Sequence, residues 1–286
     1  MQLLSWTFIA LIVVGLLYGG LVTYGAWRWD AATGGLLARL DAADVTETTA
    51  RYDAGSLTGL PAPVRRYFER ALTDGQPMVR RADIAMRGTF NLSLKTPQWK
   101  PFTSVQQVVT NRPGFVWNAT IRLFPVFPVR VHDAYVAGTG ILRPAILGLF
   151  PMGEVQGTGE TARGELMRWL AEGVWYPTVL LPGQDVEWQP VDDASAQVTL
   201  TDGAIQLTML FRFGEDGLVS GIHADARGGL IGGKTVMMPW EGKFSDYRLQ
   251  DGMMIPFFGE VAWIMPQGEM PYFRATVTQM TYRFAE

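Results

Sequence analysis

The chain contains no cysteine and only two histidines, His132 and His223, and each shortage closes off chemistry. Without thiols there is no disulfide, redox pair or soft metal ligand, and the lack fits a reducing or an oxidising compartment equally well. A zinc or copper site would have to be assembled almost wholly from carboxylates, which suit calcium or magnesium instead. Neither a metal site nor any other cofactor is expected. Charge is scarce as well. Charged side chains make up 18% of the 286 residues and the net charge is −3, so no basic field exists to hold nucleic acid by its phosphates.

The sharpest local absence lies at the start, where no Asp, Glu, Lys, Arg or His precedes Arg28. A helix needs about 20 apolar residues to cross a hydrocarbon core about 30 Å thick, and Leu3 to Trp27 meets that length with some tilt. Residues 1–27 therefore read as a single-pass transmembrane anchor. A cleaved signal would need a basic start, an apolar run of about 7–15 residues and a small-x-small cut site. Here the run is too long, and Thr23 and Tyr24 stand before the best cut. Trp6 at one end, with Trp27 and Trp29 at the other, sit where amphipathic rings mark the boundary of lipid and water. Orientation is less constrained, because Arg28 and Arg39 both follow the helix and two arginines are a small asymmetry.

Composition changes after the anchor. Residues 28–59 are rich in Ala, Thr, Gly and Asp, which predicts a linker with at most a short helix near Leu36 to Leu40. Residues 60–286 then read as a single β-rich domain, long enough for a real core. Pro61 and Pro63 open a helix in which Val64, Tyr67, Phe68, Ala71 and Leu72 fall on one face. Arg65, Arg66, Glu69 and Arg70 lie opposite, with Arg80, Arg81 and Arg87 close behind, giving either a solvated surface or an attraction to lipid phosphates.

Beyond Asp74-Gly75 the apolar residues recur with period two. Ala194, Ala196, Val198 and Leu200 lead into the Asp202-Gly203 turn, and Ile205, Leu207, Met209, Phe211 and Phe213 alternate after it, which predicts a hairpin. Turns at Asp216-Gly217, Asp251-Gly252 and Gln267-Gly268 extend antiparallel strands from Val186 to Phe284. Upstream, Val79 to Leu92, Phe102 to Thr110, Phe115 to Leu123 and Val129 to Ala137 are strands too, split by Pro101, Pro113, Pro125 and Pro128. One amphipathic helix, near 162–175, interrupts the series, and Pro177 ends it. The expected fold class is mainly β (α+β): a large curved antiparallel sheet or half-barrel covered by one or two amphipathic helices.

Residues able to do chemistry are densest between Thr158 and Pro182, where Glu160, Glu165, Arg168, Trp169, Glu172, Trp175 and Tyr176 fall together. Spacings of three and four make Glu165, Arg168 and Glu172 a surface ion-pair ladder worth a few tenths of a kcal/mol. If the helix covers a cavity mouth, the same three side chains could bind a polar headgroup or act as acid and base. His132 and Asp133 point to opposite faces of a strand and cannot act as one unit. No serine stands in a nucleophile elbow, and Gly228-Gly229 with Gly232-Gly233 reads as a flexible hairpin or bulge. Eight of the thirteen methionines lie from Met209 onward, among Phe211, Trp240 and Trp263. Methionine suits both core filling and a surface that accommodates varied apolar partners. The candidate ligand-binding residues are therefore Glu165, Arg168, Trp169, Glu172, Trp175, Tyr176, Met209, Phe211, Trp240 and Trp263.

The strings PAPVRRYF at 61–68, GELMRWLAEGVWYPTVLLP at 164–182 and PWEGKFSDY at 239–247 resemble an uncharacterised bacterial family, a domain of unknown function whose members often begin with a hydrophobic segment. The likeness covers 61–284 and implies membership without a mechanism. More loosely, many antiparallel strands with covering helices resemble the half-barrels of bacterial lipoprotein carriers, which are exported proteins that hold acyl chains. That resemblance implies a domain on the extracytoplasmic side of the bacterial inner membrane. The expected function is binding of a lipid or other hydrophobic ligand beside the bilayer. The alternatives are a tethered hydrolytic enzyme using Glu165 or Glu172 with Arg168, and an assembly scaffold recruiting partners through the arginine-rich helix.

Overall fold

The computed structural model describes residues 2–44, 50–93, 96–123, 126–183, 185–231 and 234–285. Among these described residues, three α-helices, α1 (Gln2–Ala43), α2 (Ala62–Ala71) and α3 (Glu160–Ala171), accompany an antiparallel sheet of fourteen strands. One half of the sheet is β1 (Val79–Asn91), β2 (Trp99–Val109), β3 (Gly114–Ile121), β4 (Val129–Val136), β5 (Thr139–Ile146), β6 (Phe150–Pro151) and β7 (Val155–Gly157). The other is β8 (Val186–Asp192), β9 (Ser195–Asp202), β10 (Ile205–Phe213), β11 (Val219–Ile231), β12 (Lys234–Gln250), β13 (Met253–Met265) and β14 (Gly268–Phe284).

Each half is a meander, and the two join where β1 pairs with β14, so the spatial order runs from β6 through β1 and β14 to β8, with β7 beside β5. Both edges of the sheet thus come from the middle of the chain, and the segment between β7 and β8 must cross from one edge to the other. That crossing carries α3 and two 3-10 turns, Glu172–Trp175 and Pro177–Leu180, and α3 contacts β3, β4 and β5 as well as β10 and β11. The sheet is a half-barrel whose gap is closed by a helix. Gly140 on β5 shows how closely α3 approaches, since a Cβ there would sit 2.6 Å from the Thr161 carbonyl oxygen. Across the gap the Tyr135 hydroxyl on β4 donates to Asp202 on β9 at 2.5 Å.

The period-two segments form strands as expected, and Asp202-Gly203, Asp216-Gly217, Asp251-Gly252 and Gln267-Gly268 all lie at strand connections. The pattern missed β5, whose Gly140 and Pro144 interrupt the apolar alternation. Pro101 lies inside β2 instead of dividing strands, while Pro190 and Pro271 sit at bulges, where a missing N–H breaks no ladder bond. Pro125 and Gly232-Gly233 fall outside the described residues. α2 forms as read, burying Val64, Tyr67, Phe68 and Ala71 with Arg65 and Arg66 exposed. α3 is shorter than read, because the chain tightens into 3-10 geometry at Glu172, before Pro177.

The largest departure concerns the segment expected to be a linker. Residues 28–43 continue α1 without a break, and Trp29, Leu36 and Leu40 are buried against the convex face of the sheet. Leu36 and Leu40 meet Val109, Val116, Ala134, Val136 and Ile141 in a second apolar cluster. Few large side chains suffice here because the sheet supplies the other half of the contact. At the helix end Asp44 has no exposed side-chain surface and receives Arg81 Nε and Nη2 at 3.0 and 2.9 Å, while Asp41 takes Arg81 Nη1. Carboxylates at a helix C-terminus oppose its dipole, and Arg81, with Arg80 3.6 Å from Asp44, offsets that cost. The remainder of the expected linker includes residues 45–49, which lie outside the described residues. N-terminal to this docked part, α1 is long and apolar enough to cross a membrane.

His132 seals the contact between α1 and β4. Its Nε2 lies 2.7 Å from Thr33 Oγ1 and its ring stacks on Trp29 with centroids 3.9 Å apart, while Trp29 Nε1 donates to Asn118 Oδ1 at 2.9 Å. Burial, aided by the Arg143 and Arg130 charges, lowers the imidazole pKa from 6.5 to about 4. The unfolded chain therefore takes up the proton first as pH falls. This site's contribution is complete above pH 6.5 and is lost as pH falls towards 4. Thermal melts across that interval are expected to lose stability equivalent to roughly 2–3 kcal/mol, with His132→Gln flattening the slope. An identical slope in the variant would remove His132 from the account.

Candidate functional site

Alternation along the strands points large apolar side chains into the hollow, and at one end they fill it. There α2 brings Tyr67 and Phe68 against the sheet, with the Tyr67 and Phe213 rings 5.9 Å apart. Beneath α3 the hollow stays open as a cavity of about 500 Å³, within the range of small-molecule sites. Trp117 and Val131 line one wall, Phe244, Val261 and Trp263 the other, and Phe273 lies between them. Leu92, Met152 and Thr235, close to the ends of three hairpins, stand at the opening.

A ring of polar groups lies where α3 meets this apolar space. Arg168 donates from Nε to Glu172 Oε1 at 2.7 Å, from Nη1 to Asp133 Oδ2 at 2.7 Å and from Nη2 to Gln106 Oε1 at 2.9 Å. Gln106 closes the circuit, its Nε2 donating to Glu172 Oε2 at 2.5 Å. The Phe115 and Trp117 rings lie 4.8 and 5.1 Å from the guanidinium carbon. Burial works against the Arg168 charge, but Glu172, Asp133 and Glu165 outweigh it and raise the pKa. The expected surface ladder is instead a nearly dry cluster, in which charge-assisted bonds carry far more weight than exposed pairs.

Glu165 sits one turn earlier with Arg227 Nη2 3.7 Å from its Oε2. Burial raises its pKa well above the carboxylate range, and the Asp133 charge and hydrogen bond add to the shift against Arg227 and Arg168. Among the described residues, Glu165 Oε2 and Asp133 Oδ1 have no hydrogen-bond partner. Arg227 reaches the cavity through a bulge in β11 between Ala224 and Arg227. Its Nε donates to the Gly164 carbonyl at 3.1 Å, and its guanidinium lies 4.8 Å from the Trp240 ring and 5.9 Å from Trp263.

Six of the ten residues singled out from sequence, Glu165, Arg168, Glu172, Trp175, Trp240 and Trp263, line this cavity. The other four do not touch it. Trp169 donates to the Val109 carbonyl and Tyr176 to the Trp169 carbonyl, each buried in packing on the α3 side. Met209 and Phe211 lie in the solid part of the core, where Phe211 meets Trp188 edge-on at 5.4 Å. Sequence reasoning passed over Asp133, Gln106 and Arg227. A carboxylate beside Val131 and Tyr135 on the inward face of an apolar strand was the available signal for Asp133, because such a group needs a buried partner.

The model of a family of unknown function, DUF6920, matches residues 58–282. The chain belongs to that family. No curated protein matches the DUF6920 chain. Among solved structures it is similar to a LolA superfamily protein from Nitrosomonas europaea, with a TM-score of 0.39 and 11% identity over 79% of this chain and 94% of the other. A second likeness is to a β-barrel-like protein of the unknown-function family DUF1849 from Brucella abortus, with a TM-score of 0.21 and 8% identity over 73% and 100% of the two chains. At these scores neither likeness carries an argument about what the cavity holds.

Proposed function

We propose that the DUF6920 domain holds a lipid or another apolar ligand in the cavity under α3, while α1 fixes it to a membrane as a single-pass anchor. The observation that supports this is the cavity itself: aromatic and aliphatic walls kept open inside an otherwise packed half-barrel, with polar groups gathered along α3. Apolar surface gains about 25 cal/mol per Å² on leaving water, so an acyl chain is a better occupant of such walls than solvent. In the Arg168 cluster both oxygens of Glu172 and one of Asp133 are already engaged by Arg168 and Gln106, which favours a positioning role over turnover chemistry for that pair. We place the anchor in the bacterial cytoplasmic membrane and the domain on its extracytoplasmic side, as the sequence resemblance implies.

Native mass spectrometry of the full chain, purified from membranes in mild detergent, is expected to show a bound lipid. Leu142→Trp, which puts an indole into the cavity from β5, should abolish the adduct while leaving the melting temperature of the lipid-free protein nearly unchanged. Absence of any adduct from the wild-type chain, together with no rise in melting temperature on adding lipid, would refute the proposal.

A further inference from the structure

We propose that the rim of the cavity is itself a membrane-binding surface, so that the cavity opens into the leaflet entered by α1 and takes its ligand sideways from the bilayer. This deepens the reading just given and rests on it. The docked half of α1 lies along the convex face, held by Trp29, Leu36, Leu40 and the Asp44 to Arg81 ion pair, so the helix leaves the sheet in a fixed direction. It leaves past the turn after β5, where a Cβ on Gly25 would sit 2.2 Å from the Leu147 carbonyl oxygen. Two turns farther into the apolar segment, Tyr18 donates its hydroxyl to the Val126 carbonyl and meets Phe127 edge-on at 5.9 Å. The turns after β3 and β5 therefore flank the apolar helix at the end of the half-barrel where Leu92, Met152 and Thr235 surround the cavity opening.

The side chains at this end match a bilayer surface. Val126, Phe127, Phe150, Met152 and Met237 are 52, 42, 53, 50 and 44% exposed, at hairpin positions that polar residues ordinarily hold. Lys100, Arg122 and Lys234 stand at the adjoining strand ends, where basic groups meet lipid phosphates. The opposite end has Arg112, Asp216-Gly217 and Asp251-Gly252 at its turns. Seven residues of helix separate Gly25 from Tyr18, about 10 Å along the axis, which agrees with the roughly 5–10 Å to which interfacial apolar surfaces sink.

The lack of cysteine permits single-site labelling of the full chain. An environment-sensitive fluorophore on Phe127→Cys or Met237→Cys, in vesicles of phosphatidylcholine and phosphatidylglycerol, should be quenched several-fold more by nitroxide-labelled lipid than by aqueous iodide. On Leu249→Cys, at the opposite end of β12, the order should reverse. Rim labels as open to iodide as the Leu249 label would overturn the proposal. A second arm uses Phe127→Asp with Met237→Asp: transfer of a fluorescent lipid from vesicles should slow several-fold, with binding in detergent unchanged. Equal transfer rates would also overturn it. Loss of binding in detergent by the wild-type chain would instead sink the ligand reading and leave the labelling result standing.

Discussion

Leucine in place of Arg168 is expected to destabilise the folded domain by about 3–5 kcal/mol, because it leaves Asp133 and Glu172 as buried charges without a counter-ion. Three hydrogen bonds from the guanidinium are lost at once, and Gln106 cannot replace them, since its amide already donates to Glu172. Arg168→Lys should fall between, keeping the charge but not the fork that serves three acceptors. The informative comparison is the triple variant Arg168→Leu, Asp133→Asn, Glu172→Gln. Removing all three charges should restore most of the lost stability, since a buried ion network contributes little net over a neutral replacement of similar shape. Denaturant unfolding of the four proteins tests this. A wild-type melting curve for Arg168→Leu would show that the cluster is hydrated and does not support the α3 contact.

Trp29→Ala is expected to have a comparable effect by a different route. Trp29 is only 3% exposed, covers His132 and bonds to Asn118, and large aromatic truncations at such sites cost about 3–5 kcal/mol. The loss should be local. Residues 30–43 would stay helical but exchange their amide hydrogens much faster, since Leu36 and Leu40 alone bury too little surface to hold the helix down. Exchange in β12 and β13, remote from α1, should not change. Equal protection of 30–43 in both proteins would show that the α1 contact rests on the Asp44 ion pairs instead.

The legible part of this molecule was the part governed by local periodicity. Alternation of Ala194 to Leu200 and of Ile205 to Phe213 is a statement about which side of a ribbon is dry, and turns such as Asp251-Gly252 fix where that ribbon folds back. The helical face of Val64, Tyr67 and Phe68 is legible for the same reason. Residues 28–43 were not, because their burial depends on a partner surface made by β2, β3, β4 and β5, which no composition window contains. Glu165, Arg168 and Glu172 show the limit most clearly. Their spacing is that of a solvated ladder, and only the crossing of α3 between the two edges of the sheet turns that polar face inward. Arg227 was hidden by a bulge, since strict alternation from Ile222 and Ala224 would have turned Ala226 inward and Arg227 outward.

Sequence by itself determined the apolar first segment, the β-rich class, the order of most strands and the family, because these follow from hydropathy, turn chemistry and motif blocks along the chain. Tertiary structure decided that β1 meets β14, that α3 closes a half-barrel over an open cavity, and that α1 rides on its back. Those outcomes depend on contacts between residues 37 to 205 apart in sequence, from Arg81 with Asp44, through Thr33 with His132, to Val79 with Phe284, whose free energy exists only once both partners are in place.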